Sequence, residues 1–236
     1  MKHTTKPPVF YHGTDARFVR MTKEEREQLR EDALYASNYM LPFYLPHIES
    51  RQSINAFNKE LQDEDLAHNS LLAAQVFDRY LRTTNNDEPG QYQYGDLYLT
   101  SDIDNALTYA YSSFIGGEFN RLAYRMFCGA RSYHFEGWKP TERFNAIMQK
   151  LCRFAEEEPE PVVLKFAHLD WNYILQDTGE PLFPEDIEEP YFLIGRSIRY
   201  TRHLEFDLSK AWFLPKDPQS IYREKARLIL DELASQ

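Results

Sequence analysis

Cysteine is nearly absent: the chain of 236 residues holds two, Cys128 and Cys152, in segments whose patterning predicts helices. With no Cys-x-x-Cys pair and no Cys/His spacing, a zinc site and a disulfide framework are excluded. No metal is expected, and a reducing, cytoplasmic setting is the default. Basic charge is also short. Lys and Arg total 27 against 37 Asp and Glu, a formal net charge of −10. That balance argues against a sequence-independent grip on nucleic-acid backbones, which needs clustered cations to release counterions. Arg196, Arg199, Arg202 and His203 lie close together, but they alternate at strand spacing and read first as a solvent-facing set. No apolar run approaches the length of a membrane span, so no membrane partner is expected. Met1–Pro8 carries charge without a hydrophobic stretch, so no cleaved signal is expected either. Glycine, at 9 residues, is too sparse for a low-complexity chain.

Aromatic residues are plentiful. Sixteen Tyr and 16 Phe within a 42% hydrophobic composition can build a ring-rich core or cleft. The length suits one domain over 1–236 with a sizeable helical insertion. Val9–His12 predicts a short strand that turns at Gly13-Thr14-Asp15. Thr22 and Glu25 have capping-box spacing and predict a helix that Pro42 and Pro46 then break. Helical pieces follow near Ile54–Leu61 and Leu66–Leu81, the second with Leu71, Leu72, Gln75, Val76 and Arg79 on one face. The stretch from about 21 to 86 therefore reads as a helical insertion between the first two strands.

Tyr94–Thr100 predicts the next strand, with Ser101 capping a helix that carries Ile103, Ala106, Leu107 and Ala110. Gly116-Gly117 ends it, and Glu142–Glu157 predicts an amphipathic helix. Beyond Pro161 the chain becomes strand-rich: Val162–Phe166, Tyr191–Ile194, Ser197–Tyr200, Leu204–Leu208 and Ala211–Leu214, with a loop over 170–190 and a last helix at Gln219–Ser235. Helices early and strands late give an α+β class.

Two segments carry chemistry. In Tyr11-His12-Gly13-Thr14 a histidine at a strand end can hydrogen-bond a ribose hydroxyl, and a glycine admits close approach to the backbone. Each alone is commonplace in structural roles. In Gly95-Asp96-Leu97-Tyr98-Leu99-Thr100-Ser101, running into the helix with Tyr109, two rings are set to flank a planar heterocycle. Aromatic faces attract a positively charged ring such as nicotinamide.

Together the segments resemble the ADP-ribosyltransferase superfamily, in its His-Tyr-Glu branch of diphtheria-toxin-like enzymes and poly-ADP-ribose polymerases. There the first strand ends in His-Gly-Thr or His-Gly-Ser, and the second motif enters a helix whose tyrosine is spaced as Tyr98 and Tyr109 are here. The resemblance implies a split β-sheet core, NAD as substrate, ribose binding by His12, and carboxamide binding by the Gly13 backbone. Thr14 and Thr100 belong to the same binding segments, and Tyr98 and Tyr109 would sandwich the nicotinamide. Polymerase-type members often carry a serine where this chain has Ala106, which leaves the carboxamide to Gly13 and the rings.

The implied reaction breaks the nicotinamide–ribose bond and builds positive charge on the ribose, which a fixed carboxylate stabilises. Glu205, between Leu204 and Phe206 on an expected strand, is the candidate; Asp207 lies two residues on, and Glu188 and Glu189 sit in an acidic, Pro-rich run. Catalysis would thus rest on Glu205, His12 and Tyr98. The acceptor expected is a protein or a small molecule before nucleic acid, an activity that suits a toxin, an effector or a defence enzyme. An NAD glycohydrolase and an inactive binding module of the same fold are the alternatives.

Overall fold

The computed structural model describes residues 9–61, 63–86, 97–112, 116–176, 179–183, 197–202, 204 and 206–215. It is an α+β structure made of two compact units. The sheet unit takes the described residues up to Val19, those of 86–114 and those of 160–216; the helical unit takes those of 20–85 and 115–159.

In the sheet unit, strand β1 (Val9–Asp15) lies between β2 (Leu97–Thr100) and β3 (Pro161–Ala167). With β4 (Ile174–Gln176), β5 (Ser197–Tyr200) and β6 (Trp212–Phe213) they form one antiparallel sheet, ordered β4-β5-β2-β1-β3-β6. The turn expected at Gly13 comes later, because β1 pairs with β3 at every position from Val9↔Ala167 to Asp15↔Pro161. Asp15 then turns the chain: its buried carboxylate accepts the Arg17 backbone N–H at 2.8 Å and pairs with the Arg17 guanidinium at 2.7 Å. Helix α1 (Ala16–Arg20) starts there.

Among the described residues β1 and β2 share one paired position, Tyr11↔Thr100, against four between β2 and β5. One sheet face carries a core of Phe10, Leu99, Ile174, Leu182, Ile198 and Tyr200. The other receives helix α5 (Ile103–Ser112) through Ala106, Ala110 and Val163. Asp102 starts α5 one residue later than expected: its carbonyl accepts from Ala106 and its Oδ1 accepts the Asp104 N–H at 2.9 Å.

The helical unit holds α2 (Lys23–Ile48), α3 (Arg51–Leu61), α4 (Glu64–Asn86), α6 (Glu118–Tyr133) and α7 (Glu142–Glu156). The capping box is present, with Thr22 Oγ1 accepting from Glu25 N–H and Glu25 Oε2 accepting from Thr22 N–H. Pro42 and Pro46 do not break α2. Asn38, Pro42 and Pro46 all lie on its exposed side, so the carbonyls that the prolines cannot serve face water. The buried side of α2 carries Leu29, Ala33, Ala36, Met40 and Tyr44. In α4 the buried stripe is Ala67, Leu71, Ala74 and Phe77, whereas Leu72 is 41% exposed and Arg79 is also exposed, so the face is rotated from the expected one.

The strand expected at Leu204–Leu208 does not form: Leu204, Phe206 and Asp207 are in no strand, and Leu208–Lys210 is a 3-10 turn. The loop expected over 170–190 contains a 3-10 turn, Trp171–Tyr173, and strand β4. The strand expected at Tyr191–Ile194 and the helix expected at Gln219–Ser235 lie outside the described residues.

Candidate active site

His12 and Tyr98 meet. His12 Nδ1 donates to the Tyr98 carbonyl at 2.8 Å, joining segments 86 residues apart. A carbonyl only accepts, so Nδ1 carries the hydrogen. His12 keeps part of its surface accessible, yet burial outweighs that hydrogen bond and holds its pKa below the ordinary 6.5. At neutral pH the ring is uncharged, and Nε2 offers a lone pair to a hydroxyl hydrogen.

The two side chains leave opposite faces of the sheet. Phe10, Leu97 and Leu99 belong to one core, so strand alternation puts His12 on that side and Tyr98 on the other. Tyr11, packed on the α5 face, fits the same alternation. Tyr98 pairs laterally with Arg199, which shares its face.

Gly13 serves packing. A Cβ there would collide with the Ala106 carbonyl oxygen and come within 2.6 Å of Ala110 N, so the glycine lets α5 seat on β1. The close approach read from this residue is made by a helix. Thr14 is buried in the β1–β3 pairing. Thr100 is buried too, and its Oγ1 accepts the Asp102 N–H at 3.0 Å, which shapes the turn into α5. Tyr109 stands 47% exposed on α5.

Glu205 lies outside the described residues, as do Glu188, Glu189, Gly95 and Asp96. Its neighbours are placed. Leu204 packs on the Phe10 core, and the Phe206 ring stacks on His12, centroids 6.0 Å apart and planes 4° apart. Asp207 is engaged within its own turn. Its exposed carboxylate accepts from the Ser209 hydroxyl at 2.5 Å and the Ser209 N–H at 3.0 Å, and pairs with Lys210. Those partners hold its pKa below the usual range, the Ser209 hydroxyl first.

The placement of two residues, Arg199 and Phe206, escaped the reading of the sequence. Arg199 is 3% exposed, not solvent-facing, and its guanidinium reaches Gly179, where a Cβ would stand 3.5 Å from Nη1. Arg202 is exposed and lies over the Tyr173 ring, while Arg196 and His203 lie outside the described residues. Phe206 could have been picked out only by knowing that its segment folds over β1. Among the described residues no group of three or more His, Cys, Asp or Glu side chains is placed to hold a metal, and no helix is long and apolar enough to cross a membrane. No family model, curated protein or solved structure matches the chain.

Proposed function

We propose that this chain is an ADP-ribosyltransferase that cleaves NAD at the nicotinamide–ribose bond. The observation that carries the reading is the bond from His12 Nδ1 to the Tyr98 carbonyl. It brings the two motif segments together across the neighbouring strands β1 and β2. Because His12 and Tyr98 leave opposite faces, a ligand touching both side chains does not lie on one face of the sheet. In this reading Tyr98 and Tyr109 flank the nicotinamide, the Gly13 peptide holds its carboxamide, and a ribose hydroxyl donates to His12 Nε2. Glu205 supplies the negative charge that opposes the developing ribose cation.

Incubation with NAD labelled on its adenylate side, with and without cell lysate, tests the proposal. Labelled macromolecules identify a transferase and its acceptor class, and free ADP-ribose identifies a glycohydrolase. NAD binding without nicotinamide release leaves a binding module. Absence of both binding and release overturns the reading. Glu205→Gln is expected to bind NAD nearly as before while turnover falls roughly a hundred-fold or more. Normal release from that variant, with collapse in Glu188→Gln or Glu189→Gln, moves the carboxylate to the 170–190 segment.

A further inference from the structure

A histidine held by one hydrogen bond keeps a rotational freedom about that bond, so a second contact must set the plane of its ring. For His12 that contact is Phe206, whose ring lies parallel to the imidazole within 4°. Phe206 is itself backed edge-on by Phe166 of β3, at 6.2 Å and 61°. Described residues on either side of Phe206 are held by hydrogen bonds. Thr201 N–H donates to the Tyr173 carbonyl at 3.0 Å, and Asp207 caps the following turn through Ser209. Leu204 packs on the core with Phe10 and Tyr200.

We propose that Phe206 is a positioning residue acting through His12. It fixes the imidazole plane and excludes water from one ring face, so that Nδ1 stays on the Tyr98 carbonyl and Nε2 stays bare as an acceptor. The link to catalysis rests on the NAD-cleaving reading above; the effect on His12 itself does not. His12 is bonded to the Tyr98 carbonyl of β2, paired with Leu164 of β3 and stacked on Phe206. Lys165 pairs with Tyr11, so it leaves the other face, and Asp207 is engaged by Ser209 and Lys210. Burial is the leading cause of the lowered His12 pKa, and the Tyr98 carbonyl works against it. Opening the Phe206 side therefore moves that pKa up.

Nitrogen-15 spectra of histidine-labelled full-length protein test the proposal, with Phe206→Leu and Phe206→Tyr beside the wild type and thermal melts to establish folding. In the wild type His12 is expected as the Nδ1–H tautomer at pH 7. Phe206→Leu is expected to populate the Nε2–H tautomer and to shift the His12 titration up toward 6.5. The same variant should lose roughly ten- to hundred-fold in kcat/KM for NAD, the scale of a misplaced group, while Phe206→Tyr retains tautomer, titration and turnover. A purely structural phenylalanine would lower the melting temperature and leave the His12 spectrum alone, and that result overturns the proposal. If Phe206→Leu fails to fold, Phe206→Met carries the same comparison. If wild-type protein cleaves no NAD, the functional reading fails while the spectra still decide the role of Phe206.

Discussion

At the scale of single residues, Tyr98 is where face and hydroxyl can be separated. If its ring stacks on nicotinamide, Tyr98→Phe keeps NAD turnover close to wild type. Tyr98→Ala should lose about 1–3 kcal/mol of binding, the range for a base on an aromatic ring, or roughly ten- to hundred-fold in KM. Equal damage from both substitutions shows the hydroxyl at work and removes the stacking role. His12 gives a second prediction, on stability against pH. Its folded pKa lies below the unfolded 6.5, so the unfolded chain binds the extra proton first as pH falls. His47, surrounded by Phe57, Tyr133 and Phe135, is lowered in the same direction by burial, with Glu60 opposing. Stability is therefore complete above about pH 6.5 and declines below it, through the window down to the folded pKa values. Urea midpoints between pH 5 and 8 check this: His12→Asn and His47→Phe should each flatten the decline, and a slope unchanged in both assigns it to carboxylates.

At the scale of elements, Gly129 of α6 is a point of close packing in the helical unit. A Cβ there would collide with the Ser70 side chain of α4 and stand 2.5 Å from the Tyr44 hydroxyl of α2. Tyr44 Oη donates to the Met126 carbonyl at 2.5 Å, so it cannot move aside without losing that bond. Gly129→Ala should cost about 2–3 kcal/mol, in the range of overpacked cores, read as a lowered urea midpoint at unchanged slope. A midpoint within error of wild type means the three helices can separate freely. Nothing in the local sequence marks Gly129, because its requirement comes from two distant helices. The same divide runs through the rest of the fold. The capping box at Thr22, the apolar stripe of α7 and the core of β3 were legible, since each is written in neighbouring residues. The prolines of α2 were not, because their damage depends on which side of the helix faces water. Strand β4 exists through its pairing with β5, as Ile174↔Tyr200 and Gln176↔Ile198, and three residues carry too little alternation to announce it. The alternation of Leu204 and Phe206 was real, but it plants two side chains on the sheet instead of extending a ladder. Of the candidate site, the two motif segments could be picked out in the sequence, but the His12–Tyr98 bond and the use of Gly13 and Thr100 in seating α5 needed the tertiary contacts.

At the scale of the whole molecule, charge and chain path each make a prediction. A net charge of −10 weakens any grip on nucleic-acid backbones. With labelled NAD at physiological salt, modification of proteins or small molecules should exceed that of purified RNA or DNA, and the reverse result discards this preference. The chain path bears on the helical stretch of 21–86. An insertion that packs only on itself can be cut out, leaving its host intact. Here the described residues of 20–85 share one unit with those of 115–159. The joints between the two segments are specific: Tyr44 bonds to the Met126 carbonyl, Ser70 seats against Gly129, and the Tyr133 hydroxyl donates to Glu60 at 2.8 Å. Removing 21–86 strips α2, α3 and α4 from α6 and bares the side of it that Tyr44 and Ser70 cover around Met126 and Gly129. An exposed apolar face drives association. A chain lacking 21–86, closed by a short polar linker, should therefore bind a hydrophobic dye strongly and elute as aggregate in size-exclusion chromatography. Removing 115–159 as well should lower dye binding, because no orphaned helix face then remains. A monodisperse chain lacking only 21–86, with wild-type dye binding, contradicts the shared core and restores that stretch as a self-contained insertion.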